Sequence, residues 1–118
     1  NQPIVMSSGV QLFDVIDVVD CADTYKAVLE NGKRLQNYIA GSGNPQMLKN
    51  YVLEMNSLFS NYEGLTIDSN NSADVVLSKE NFDTSRLVSD TNFTPNISFR
   101  ESIIRLKKYL TKYDIRYP

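Results

Sequence analysis

The stretch QLFDVIDVVDCADTYKAVLENG, from Gln11 to Gly32, decides how the rest of the chain is read. Gln11 to Ile16 has extended character, with β-branched Val15 and Ile16 at its end. From Val18 the spacing turns helical: Val18, Ala22, Tyr25, Val28 and Leu29 fall on one side, with Cys21 beside Ala22. Asp17 reads as the N-cap, Asp20 as a first-turn charge that suits the helix dipole, and Gly32 as the stop. A strand therefore feeds directly into a helix whose apolar side is expected to pack. Four aspartates punctuate the stretch, at positions 14, 17, 20 and 23, and raise the question of a metal or acid/base site. A cap, a first-turn charge and solvent-facing carboxylates account for them more simply, and no metal ligand is assigned. Cys21 reads as a small shielded thiol, because no histidine is present to activate it.

The absence of histidine removes the commonest general acid/base, the usual triad base and the usual zinc ligand at once. Any catalysis built from this chain alone would need carboxylates, Tyr or Lys. A free-standing carboxylate enzyme would rest on the aspartates alone, and no catalytic residue is assigned. With 118 residues the chain is one domain, long enough to bury roughly two thirds of its unfolded surface. Twelve basic against fourteen acidic residues leave a net charge of −2, which gives no footprint for nucleic acid or an anionic membrane. No apolar run approaches the ~20 residues needed to cross a bilayer, and no signal-like opening is seen. A single cysteine cannot form an internal disulfide, so a cytoplasmic location is expected.

Further along, NYIAGSG (Asn37 to Gly43) reads as a strand ending in a glycine-rich turn. Gly-Ser-Gly without a following Lys-Ser/Thr is a tight strand-to-helix turn before it is a phosphate loop. Asn44 as N-cap and Pro45 at the first helical position open a helix with the stripe Met47, Leu48, Tyr51, Val52, Met55 and Phe59. Leu65 to Ile67 is a short strand entering a polar loop, and Val75 to Leu77 is a brief extended run. Asp83 is expected to cap a short helix over Thr84 to Ser89, and NFTPN is a turn. Ser98 and Glu101 form a capping box at the head of a last helix with the stripe Phe99, Ile103, Leu106, Leu110 and Tyr113. Arg105, Lys107 and Lys108 lie mostly off that stripe and read as a solvated face.

Several of these segments carry a resemblance. Asp14, Ile16, Val18, Asp20 and Asp23, with a helix ending at Asn31-Gly32, are similar to a segment of the extended short-chain dehydrogenase/reductases, the NAD-dependent epimerase/dehydratase family that works on nucleotide sugars. Tyr38-Ile39-Ala40-Gly41-Ser42-Gly43, Asp83-Thr84-Ser85-Arg86-Leu87, Thr91-Asn92-Phe93-Thr94-Pro95 and the helix from Ser98 follow in the family's order. The resemblance covers about residues 9 to 113, and only the C-terminal part of the family's usual length.

It implies an α+β fold: residues 1–118 as a small, mostly helical substrate-binding domain with short strands, the C-terminal part of an extended short-chain dehydrogenase/reductase without its Rossmann half. The glycines at 9, 32, 41, 43 and 64 cannot form the family's NAD fingerprint, and no tyrosine is followed four residues later by lysine. The chain is thus expected to hold no cofactor and to be inactive alone. An N-terminal Rossmann domain in a full-length protein would supply NAD(P). The partners implied are that domain, a nucleotide sugar or related small molecule, and a second copy if the parent is a homodimer.

Two departures concern the substrate. Phe13 stands where many members carry a phosphate-contacting arginine, and Asn70 and Asn71 stand where a second arginine precedes the position matched by Asp74. No basic residue lies between Lys49 and Lys79. Phe13, Asn70 and Asn71 are the expected substrate-bordering residues. The alternative reading is a degenerate, non-catalytic member or a stand-alone binding module.

Overall fold

The computed structural model describes residues 3–59, 63–68, 70 and 77–113. The fold is α+β, with four helices and four short strands among the described residues. The strands are β1 (Ile4–Met6), β2 (Leu12–Phe13), β3 (Gln46–Met47) and β4 (Leu65–Ile67), and the helices are α1 (Val18–Asn31), α2 (Leu48–Phe59), α3 (Ser85–Thr91) and α4 (Phe99–Lys112). A short 3-10 turn, Lys79–Phe82, precedes α3. β1 pairs in parallel with β4, Ile4 opposite Leu65 and Met6 opposite Ile67. β2 pairs antiparallel with β3, Leu12 opposite Met47 and Phe13 opposite Gln46. The molecule is only 19 Å across its thinnest dimension.

Local signals place the helix ends. Asp17 caps α1 by accepting from the Val19 amide at 2.8 Å. At the head of α4, Ser98 Oγ accepts from the Glu101 amide while Glu101 accepts from the Ser98 amide, the reciprocal capping box. Asn92 ends α3 in the left-handed region at φ 57°.

Elsewhere tertiary contacts override the local signals. α2 starts at Leu48, not at Asn44 and Pro45, because Gln46 and Met47 are drawn into the ladder with β2. Residues 37–41 form no strand. Tyr38 is instead taken up by a side-chain tie, its hydroxyl accepting from the Lys33 amide and donating to Asp90. α3 begins at Ser85 with Thr84 in the N-cap position, and Asp83 accepts from the Ser85 amide from one residue further back. β1, for which the sequence raised no expectation, completes the parallel pair. In the extended run expected at Val75 to Leu77, only Leu77 is described, and it belongs to no strand.

The largest departure lies in α1. Its buried residues are Asp20, Thr24 and Ala27, while most of the apolar stripe is turned outward, with Val18 76%, Tyr25 67% and Leu29 88% exposed and Val28 half-buried. Cys21, on the flank between the two faces, is half-buried and not shielded. Among the described residues the buried apolar side chains are Ala27, Tyr51, Leu87 and Ile103. Tyr51 meets Phe99 edge to face, with ring centroids 4.8 Å apart, and this contact joins α2 to α4.

Candidate functional site

Three of the four aspartates are fasteners for distant parts of the chain. Asp14 accepts from Ser42 Oγ and from the Gly43 amide, the latter at 3.1 Å. The glycine-rich turn therefore holds an anion, but that anion is the protein's own carboxylate. A Cβ at position 41 would collide with that carboxylate, while at Gly43 a φ of 74° and the nearby Thr84 hydroxyl favour glycine. Asp17, besides capping α1, accepts from Ser102 Oγ and Arg105 on α4. Burial pushes the Asp17 carboxyl up, but the Ser102 hydroxyl, the Arg105 guanidinium and the Val19 amide outweigh it and hold it below its ordinary value. Arg105 is thus half of an ion pair, not part of a purely solvated face. Asp20 accepts from the Asn96 amide at 3.0 Å and the Ile97 amide at 2.7 Å, spanning 76 and 77 residues. Asp23 alone remains on the exposed surface. Among the described residues no group of three or more His, Cys, Asp or Glu could hold a metal ion.

Lys107 is exposed, as the sequence implied, and donates to the Leu58 carbonyl at 2.6 Å at the end of α2. Lys33 donates to Asp90 at 2.5 Å, and with Tyr38 it ties the end of α1 to α3. The contact from Lys33, opposed by desolvation and aided by Tyr38, holds Asp90 below its ordinary value.

The expected substrate-bordering residues lie on the strand side. Phe13 ends β2 and is 45% exposed. Its carbonyl accepts from Tyr51 Oη at 3.3 Å, so the backbone here is held by the core aromatic of α2. Asn70 is exposed in the turn after β4, its amide donating to Asp68 Oδ1 at 3.0 Å, an Asx-type turn. Asp68 in turn donates its amide to the Met6 carbonyl, so this turn is anchored on β1. Asn71 lies outside the described residues, as does Asp74. Along the connection from β1 to β2, Ser8 Oγ and Gln11 Oε1 are buried without a hydrogen-bond partner among the described residues. Buried polar atoms are nearly always paired, so these two are exceptions among the described residues.

A cleft of about 290 Å³ opens behind β2 and β3, lined among others by Val15, Gln46, Tyr51, Glu54, Asn96 and Arg100. Neither Phe13 nor Asn70 lines it. Its arginine lies 3.6 Å from Glu54, a loose ion pair that leaves most of the Arg100 side chain exposed. Burial pushes the Tyr51 phenol up, which keeps it a neutral donor to the Phe13 carbonyl. The cleft can bind polar groups by hydrogen bonding. The Asp fasteners and the Arg105 pair have no local signature, since each partner lies 28 to 88 residues away.

The chain superposes on a dTDP-glucose 4,6-dehydratase from Bacillus anthracis str. Ames in complex with NAD, with a TM-score of 0.74 at 13% identity, covering 96% of this chain and 36% of that one. RMD from Pseudomonas aeruginosa complexed with NADPH gives a TM-score of 0.69 at 18% identity, over 85% of this chain and 33% of that one. A UDP-glucuronic acid 4-epimerase from Bacillus cereus in complex with NAD gives 0.64 at 16% identity, over 98% and 37%. The likeness is one of fold. No protein-family model and no curated protein matches the sequence. The chain spans about a third of the length of the solved structures it matches. No helix among the described residues is long and apolar enough to cross a membrane.

Proposed function

We propose that these residues form the C-terminal, substrate-binding portion of a longer NAD(P)-dependent protein that acts on a nucleotide sugar as an epimerase, dehydratase or reductase. The observation that carries this reading is the alignment of 85 to 98% of the chain with about a third of three chains held in complex with NAD or NADPH. The ordered motifs from Asp14 to the capping box at Ser98 support it independently. An upstream Rossmann portion would bind NAD(P), which supplies the hydride chemistry, in a cytoplasmic protein. Phe13, Asn70 and Asn71 border the sugar nucleotide, and Ser8 Oγ and Gln11 Oε1, without a partner among the described residues, lie on the connection leading to Phe13. A wall of aromatic and amide groups binds sugar hydroxyls, but it leaves diphosphate charges without a guanidinium fork.

The test is calorimetry of UDP-glucose and dTDP-glucose on the natural gene product, as wild type and as Phe13→Arg. Weak wild-type binding with roughly a tenfold gain on substitution, about 1.4 kcal/mol, is expected. Tight wild-type binding with no gain would place the phosphates elsewhere. No binding by either form would remove the nucleotide-sugar reading. It would favour a non-catalytic binding module, which the lack of any basic residue between Lys49 and Lys79 already suits.

A further inference from the structure

The outward stripe of α1 repeats at intervals of four, three and four residues: Val18, Ala22, Tyr25 and Leu29. At 100° per residue these four side chains lie within a narrow arc, on the side of the helix opposite the buried Asp20, Thr24 and Ala27. A helix that buries an aspartate and a threonine while exposing its apolar seam is inverted with respect to the rest of this chain. The inversion is stable because Asp20 is satisfied by the Asn96 and Ile97 amides, and Thr24 Oγ1 donates to the Asp20 carbonyl. The 4-3-4 spacing is that of a seam that receives another helix.

We infer that this seam is the docking face for a helix from the part of the longer polypeptide that has no counterpart in these 118 residues. The inference rests on the reading proposed above. Two observations select that occupant over a second copy. The chain aligns along most of its length with only about a third of the matched chains, so most of such a fold remains to be placed against it. The seam is also too small for a dimer. A 14-residue helix presents a strip of about 21 by 10 Å, roughly 200 Å², against the ~800 Å² per partner that a stable association uses. A tethered partner, held at high effective concentration, needs far less area.

The test is residue-level thiol labelling of the natural gene product, mapped by peptide mass. Cys21 is replaced by Ser, and Leu29→Cys is compared with Glu30→Cys, its neighbour off the seam. Leu29→Cys is expected to label at least about tenfold more slowly, and Tyr25→Glu with Leu29→Lys to lower the unfolding midpoint by roughly 5 °C or more. That pair of charges favours the helix itself, so a drop reports lost docking. Equal labelling rates would overturn the inference, as would protection that disappears on dilution, which would make a second copy the occupant. A gene product whose intact mass equals that of the 118 residues would overturn both this inference and the reading beneath it. Protection at Leu29 without nucleotide-sugar binding would uphold the docking face and remove only the functional reading.

Discussion

The two ends of the molecule are held together in opposite ways. Around the start of α1, directional contacts to Asp14, Asp17 and Asp20 gather the 41–43 turn, α4 and the 96–97 loop. On the other side, β1 and β4 meet through a parallel ladder of three residues each, with Ile4 55% and Val5 66% exposed. Parallel pairs are ordinarily covered on both faces, whereas a buried carboxylate bonded to two amides needs nothing further. The carboxylates of the first region are satisfied among the described residues, whereas the strands of the second leave apolar side chains exposed. Substitutions should therefore damage the first region severely and the second hardly at all.

The largest effect is expected at Asp20. Asp20→Ala leaves the Asn96 and Ile97 amides without their acceptor, at a cost on the order of 3 kcal/mol. That corresponds to a fall in melting temperature of roughly 10 °C for a domain of this size. Asp23→Ala, at an exposed position of the same helix, should stay within about 0.5 kcal/mol. Circular dichroism melts of the two variants make the comparison. Equal losses would mean that the 96–97 loop is not held by this carboxylate.

Asp17 gives the next effect and a pH signature. Asp17→Asn keeps a competent N-cap but removes the charge that Arg105 pairs with, costing about 1.5–2 kcal/mol at neutral pH. The folded Asp17 carboxyl sits below its ordinary value, so the unfolded chain binds the proton more readily. Its contribution is accordingly complete above the ordinary carboxylate range and is lost as pH falls below about 4. Urea midpoints between pH 3 and pH 7 should show a shallower acid limb in Asp17→Asn than in wild type. Parallel limbs would assign the acid sensitivity to other carboxylates, such as Asp90, which its contact with Lys33 also holds low.

These contrasts also explain what the sequence could disclose. The limits of α1, the capping box at Ser98 and the strand Leu65–Ile67 were legible because caps and short β-branched runs act over a few residues. The start of α2 was not, because the pull of β2 on Gln46 and Met47 outweighs Asn44 and Pro45. Periodicity placed Val18, Ala22, Tyr25, Val28 and Leu29 on one side, but it cannot say which face meets the rest of this chain, and Val28 is half-buried. For the site, sequence located Phe13 on a strand and Asn70 in a turn, while the partners of Asp17 and Asp20 depend on chain reversals that no local pattern encodes.

The smallest expected effect is the sharpest check on the second region. Val5 sits in the middle of β1, opposite Thr66 of β4, and most of its surface is already in water. Val5→Lys removes little buried apolar area, and a strand with one partner among the described residues tolerates lysine on its face. The 118-residue chain should then change by less than about 0.5 kcal/mol, the range of ordinary surface substitutions. The same substitution in a longer gene product meets different physics. If the sheet is continued or covered there, the lysine ammonium must be buried or the cover displaced, and an unpaired buried charge is among the costliest changes a fold can take. Urea unfolding of both proteins, each with and without Val5→Lys, separates the cases. A loss well above 1 kcal/mol in the 118-residue chain would show that β1 is already covered within it, and the contrast between the fastened and open ends would fail.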